Sequence, residues 1–283
     1  MDLNTVAVIR QPRERADLAL APGEAFLGGG SWLFSEPQDH LTGLVDLTTM
    51  GWAPIEVTGY GLSIAATCTF TELSRFEISA AELAPATPAI PATPPWAAVP
   101  LFRQCCTALL GSFKVWHAAT VGGNICLALP AGPMTSLGAA LDADALIWMP
   151  DGHDRRVRVL DFVTGVESTV LAPGEVLRSI EIPTRALTSR TGFRKIALSP
   201  LGRSGTVVIA RLDTDGGFAV TVSGGTDRPV QLRFGALPTA AELASGMHGI
   251  DNWYDDAHGA PDWRQAMSAL LAEQLRTELA VTA

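Results

Sequence analysis

Two glycine-rich stretches decide the reading of this chain: Leu27-Gly28-Gly29-Gly30-Ser31-Trp32 and Thr120-Val121-Gly122-Gly123-Asn124. Each follows a short apolar run. Consecutive glycines tolerate positive φ and place no Cβ between main-chain N–H groups and a bound anion. Successive amides in such a turn form a concave anion-binding nest. A lone triple glycine is more often a mobile turn. Two turns, each ending in a small polar donor (Ser31 and Asn124), predict a diphosphate-bearing cofactor held between two lobes.

The 283 residues suffice for about two domains, and 47% hydrophobic against 17% charged residues supports substantial cores. A net charge of −9 argues against a broad phosphate-binding surface, so nucleic acid is not an expected partner. The one basic cluster, Arg155, Arg156 and Arg158, alternates with Val157 and Val159. That spacing predicts the solvent face of a strand, the other reading being a docking contact with an acidic subunit. Cys68, Cys105, Cys106 and Cys126 lack zinc or iron–sulfur spacing and read as buried, reduced thiols. The histidines form no closely spaced pair on one helix face, so no metal site is expected. The N-terminus lacks a secretory leader and no stretch of 18 apolar residues occurs, which predicts a cytoplasmic protein without a membrane span.

Strands and helices alternate without a repeated βαβ unit. Residues 25–27 and 43–48 read as strands around the first glycine turn, and 55–70 as a hairpin turning at Gly59 to Gly61. Thr71 is a candidate cap for a short helix. Pro85, Pro88, Pro91, Pro94 and Pro95 exclude a continuous helix or central strand there. Apolar spacing predicts helices over Trp96 to Leu110 and Leu137 to Asp142. The stretch from Ala145 to Leu160 reads as a hairpin turning at Asp151-Gly152. A strand through Ile180 and Ile182 follows. Beyond Pro183, RTGFRKIAL, TVVIARLD, FAVTVSG and PVQLRFG are four successive strand candidates, and helices are expected around 238–246 and 261–280. Strands followed by helices describe a separate α+β unit, which places a boundary near residue 185.

In order and spacing these segments resemble the FAD-binding medium subunit of the molybdenum hydroxylases, the group of carbon monoxide dehydrogenase and xanthine dehydrogenase. LGGGSWL resembles the family's first FAD loop and TVGGNI its second. DLTTM, IAATCTFTEL, LDADALI, GEVLRSIEIP and FRKIAL follow in family order, so the likeness covers nearly the whole chain. It implies an α+β fold: a two-subdomain FAD-binding module of the PCMH (vanillyl-alcohol-oxidase-like) type over 1–185, divided at about 54 and 55, and a C-terminal α+β domain of antiparallel sheet and helices over 186–283.

The resemblance implies FAD between the subdomains, its diphosphate cradled by both glycine segments. Leu27, Gly28, Gly29, Gly30, Ser31, Trp32 and Leu33 would wrap the diphosphate and ribityl region, and Thr120, Gly122, Gly123 and Asn124 would cap it. Leu110 and Gly111 match the stretch beside the adenine. Leu177 matches an apolar residue covering the cofactor, and Lys195 a lysine close to the isoalloxazine ring, where a cation favours an anionic reduced flavin. Read as plain structure, Thr120 and Asn124 shape a turn, Lys195 is a surface residue and Trp116 belongs to the core. Two departures stand out. Pro133 replaces a family acid, a loss of about 0.5–1.5 kcal/mol of hydrogen bonding. ALSPLGRSG after Lys195 lacks the family's basic stretch and its acidic or aromatic residue, with Gly202 and Arg203 there instead.

No protein nucleophile stands out, which suits a chain whose redox chemistry belongs to a flavin. The function implied is an FAD-carrying electron-transfer subunit. Its partners would be a large subunit with the molybdopterin cofactor and a small subunit with two [2Fe–2S] clusters, in a dimer of heterotrimers. Substrate and electron acceptor are set outside this sequence. A stand-alone FAD oxidoreductase and a cofactor-free scaffold are the other readings the residues leave open.

Overall fold

The computed structural model describes residues 3–78 and 96–281 and starts in a parallel sheet. Strands β1 (Val8–Arg10), β2 (Glu24–Leu27) and β3 (Gly43–Asp46) pair in the order β1-β3-β2. The expected strand over 43–48 stops at Asp46, whose carboxylate accepts the Thr48 N–H at 3.0 Å and starts a 3₁₀ turn over Leu47–Met50. β1, three residues long, is too short for periodicity to reveal.

The expected hairpin forms β4 (Ile55–Val57) and β5 (Gly61–Ala65). Helix α1 (Phe70–Ser74) is capped by Thr69 rather than Thr71: the Thr69 hydroxyl accepts the Glu72 N–H while the Glu72 carboxylate accepts the Thr69 N–H. The proline-rich segment through Pro95 lies outside the described residues. The helix expected over Trp96 to Leu110 is α2 (Pro100–Ala108), opening on a proline that suits a first-turn position. Three further helices follow: α3 (Phe113–Ala118), α4 (Val121–Leu127) and α5 (Pro133–Ala140). α5 starts four residues before the apolar spacing suggested, again at a proline.

Strands β6 (Asp144–Trp148) and β7 (Asp154–Arg158) form the second expected hairpin, with Gly152 at φ +90° in its turn. A short α6 (Val159–Phe162) and the small ribbon β8 (Val163–Gly165) and β9 (Ser168–Thr169) lead into β10 (Val176–Pro183). Five of these strands make an antiparallel sheet in the order β4-β5-β10-β6-β7. Its inner face, with Leu62, Ile64, Ile147, Ile180 and Ile182, packs on Phe70, Phe102 and Leu137 of the helices to form the main core. On β7, Arg155, Arg156 and Arg158 pair with Glu175, Glu181 and Asp161 at 2.6, 2.8 and 2.7 Å, so the basic cluster is neutralised within the chain.

A short α7 (Thr184–Leu187) precedes the antiparallel meander β11 (Arg190–Ile196), β12 (Thr206–Leu212), β13 (Phe218–Ser223) and β14 (Val230–Phe234). Helices α8 (Ala240–His248) and α9 (Pro261–Val281) cover one face. β12 is buried on both sides and its period-2 alternation is shared between two cores. Val207 and Ile209 join the main core, whereas Val208 and Ala210 pack with Leu243, Met247, Leu271 and Leu275. The α+β class holds. No helix among the described residues is long and apolar enough to cross a membrane.

Candidate functional site

The two glycine segments meet across one cavity of about 620 Å³, closed by residues after α2 and α4 and by Arg203 and Ser204 from the link between β11 and β12. The segments touch directly. A Cβ on Gly29 would fall 1.4 Å from the carbonyl oxygen of Ala118, and one on Gly28 would fall 2.9 Å from the Thr120 hydroxyl. These glycines are therefore required by the approach of one wall to the other. Gly30 takes a left-handed φ of +67°, which turns the chain along the cavity.

Hydrogen bonding separates the two segments. The N–H groups of Gly29, Gly30, Ser31, Trp32 and Leu33 have no acceptor among the described residues, leaving a run of free donors in the first turn. The second segment opens α4 instead. Val121 N–H donates to the Cys68 carbonyl and Gly122 N–H to the Ala66 carbonyl, both at 2.8 Å. The Thr120 hydroxyl accepts from Gly123 N–H at 3.1 Å, and the Thr120 carbonyl accepts from Asn124 N–H at 3.0 Å. The expectation that both segments cradle an anion through their amides is thus corrected: the first offers free amides, and the second is an anchored wall. Asn124 Oδ1 accepts the Met134 N–H at 2.9 Å and holds the start of α5, where Pro133 is buried.

Leu27 to Leu33, Leu110, Thr120, Gly123 and Asn124 all line the cavity, as the sequence suggested. Four other candidate residues do not. Gly122 faces the residue just after β5, where a Cβ would lie 2.4 Å from that of Ala66; Gly111 is exposed beside Val115. Leu177 is buried in β10 within the main core, and Lys195 is exposed on β11 opposite Val207. Trp116 packs against the main core.

Arg203, Ser204, Gln38, Val115 and Cys126 also line the cavity and were not assigned to it from sequence. Arg203 and Ser204 carried a signal, since they sit where the chain departs from its relatives; no pattern marked the others. Arg203 is the one charged residue among the described residues that line the cavity. Burial pushes the Cys126 thiol up to about 12, so it is protonated at neutral pH and is no nucleophile. The Ser204 hydroxyl is buried without a hydrogen-bond partner.

Free backbone donors, largely apolar walls, one cation and an orphaned hydroxyl define a pocket for an anionic, partly aromatic ligand, the class of site that binds a dinucleotide cofactor. The donor set and the volume fit FAD. The chain belongs to the family described as the FAD binding domain in molybdopterin dehydrogenase, whose model matches residues 14–185. It is 27% identical over 139 residues to the glyceraldehyde dehydrogenase medium chain of Sulfolobus acidocaldarius, a match spanning 49% of this chain and 46% of that one. The match thus spans about half the length of that curated relative. Among solved structures it resembles quinoline 2-oxidoreductase from Pseudomonas putida 86, with a TM-score of 0.78, 21% identity, and 100% and 99% of the two chains covered. It also resembles CO dehydrogenase from Oligotropha carboxidovorans, with a TM-score of 0.76, 20% identity, and 98% and 99% covered. These likenesses establish the fold.

Proposed function

We propose that the chain is the FAD-carrying electron-transfer subunit of a molybdenum hydroxylase complex. The observation that carries this reading is the run of free N–H donors from Gly29 to Leu33, facing Thr120 and Gly123 across a cavity of about 620 Å³. In this reading the chain divides near residue 185 into an FAD-binding domain and a C-terminal domain. The first glycine turn holds the diphosphate through its amides and the Ser31 hydroxyl, Thr120 and Gly123 set the opposite wall, and Leu109, Leu110 and Val115 exclude water. FAD held there would supply the redox chemistry between the iron–sulfur clusters and an electron acceptor. The clusters and the molybdopterin cofactor belong to partner chains, a small [2Fe–2S] subunit and a large subunit, in a cytoplasmic dimer of heterotrimers.

Among the described residues lining the cavity there is no carboxylate, histidine or lysine to act as a general acid or base, which supports electron transfer over a self-contained oxidase. Native purification with metal and flavin analysis tests this. Iron and molybdenum co-purifying with flavin is the expected result. Flavin alone would identify a stand-alone oxidoreductase, and neither would leave a scaffold.

A further inference from the structure

The link between β11 and β12 brings a guanidinium and a buried hydroxyl to the cofactor cavity, and their surroundings are built. Arg264, itself 1% exposed, donates to the carbonyls of Gly205 at 2.8 Å and Gly259 at 2.7 Å, and to those of Gly224 and the Asp256 carboxylate. Gly224 N–H in turn donates to the Pro130 carbonyl at 2.7 Å. A Cβ on Gly205 would lie 2.5 Å from the Trp263 ring, so the link is packed tightly against α9. Arg203 and Ser204 precede this anchored glycine. The Arg203 guanidinium has no ion pair or hydrogen bond among the described residues, and its charge acts on that of Arg264, whose one carboxylate partner is Asp256. An excess of positive charge therefore sits at the cavity wall. Ser204, 4% exposed, has a hydroxyl with no hydrogen-bond partner among the described residues.

The position of this pair decides which part of the cofactor it serves. Gly224, joined to the link through Arg264, is tied to Pro130 beyond the C-terminal end of α4, whereas Thr120 and the first glycine turn lie at the N-terminal end of that helix, roughly 10 Å away along its axis. The diphosphate is provided for by the amides of Gly29 to Leu33. Away from the diphosphate, the part of FAD that acquires negative charge is the isoalloxazine ring. Two electrons and one proton added to it leave one net negative charge. We infer that Arg203, with the adjoining Ser204 hydroxyl, faces the isoalloxazine ring and sets its preference for the reduced, anionic state, the role that the sequence assigned to Lys195. The inference rests on the FAD reading above. In the complex the electrons come from iron–sulfur clusters; in the test they come from dithionite.

Arg203→Met in the full complex should leave the dissociation constant of oxidised FAD within about threefold of the wild type. It should lower the preference for the reduced ring at least tenfold, which for a two-electron couple is a midpoint potential about 30 mV more negative. Arg203→Lys, keeping the charge, should restore most of the potential and guards against a Met variant that fails to assemble. An unchanged potential in Arg203→Met overturns the inference. So does weaker binding of oxidised FAD at an unchanged potential, which would place the guanidinium on the diphosphate. A shift produced by Lys195→Met and not by Arg203→Met overturns it as well. Wild-type protein that binds no FAD would defeat the FAD reading itself, a distinct result.

Discussion

Gly122 and Gly123 are neighbours with separable duties. A Cβ on Gly122 would lie 2.8 Å from the Ala66 backbone, whereas one on Gly123 meets the Thr120 hydroxyl at 2.8 Å and otherwise opens to the cavity. Gly122→Ala should therefore destabilise the fold by about 1–3 kcal/mol, as overpacked positions do, which thermal unfolding would register. Gly123→Val, which crowds only the Thr120 hydroxyl, should cost less stability than Gly122→Ala and abolish flavin retention, which absorbance of the purified protein would register. Equal losses of stability in both variants would contradict this division. The glycine segments were legible because few residue types permit such approaches. The work of individual glycines was not: Gly28 is fixed by Thr120 and Gly29 by Ala118, about ninety positions away in sequence. Lys195 and Arg203 show the same limit, since only the fold shows which cation reaches the cavity.

At the scale of elements, the meander was readable because β11 to β14 alternate cleanly or run apolar between turns. TVGGN was harder, because glycines within a helix are unfavourable by about 1 kcal/mol each. Thr120 offsets this. It caps α4 through Gly123 N–H and bridges to Thr69, so tertiary contacts, not propensity, start the helix. Thr120→Ala removes the cap and should cost about 1 kcal/mol, measured by denaturant unfolding. A neutral effect would mean that the bridge to residue 69 alone holds the helix.

At the scale of the molecule, Asp142 joins the two sheet systems. It lies between α5 and β6, 8% exposed, and takes Arg211 at 2.7 Å, Arg185 at 2.8 Å and also Arg233. Burial alone would raise its pKa, but the hydrogen bond and charge of Arg211, with Arg233 and Arg185, outweigh it and hold the carboxyl below the ordinary range. A lowered folded-state value gives stability that is present above the unfolded carboxylate value, about 4, and is lost as pH falls through the folded value. Urea unfolding should show this loss below about pH 4. Asp142→Asn should remove that pH dependence and cost about 1–3 kcal/mol at neutral pH by leaving buried Arg211 with Asp213 as its remaining carboxylate partner. An unaltered acid profile in the variant would assign the acid sensitivity elsewhere. The four strands and two helices beyond residue 185 were legible in the sequence, but this junction was not, because its arginines are scattered from 185 to 233.

The central claim is that the cavity between the two glycine segments holds FAD. The measurement that tests it most directly is titration of the flavin-free chain with FAD, followed by quenching of flavin fluorescence. Saturation at one FAD per chain, lost in Gly123→Val, is the expected result. No saturable binding, or binding undiminished in that variant, would contradict it.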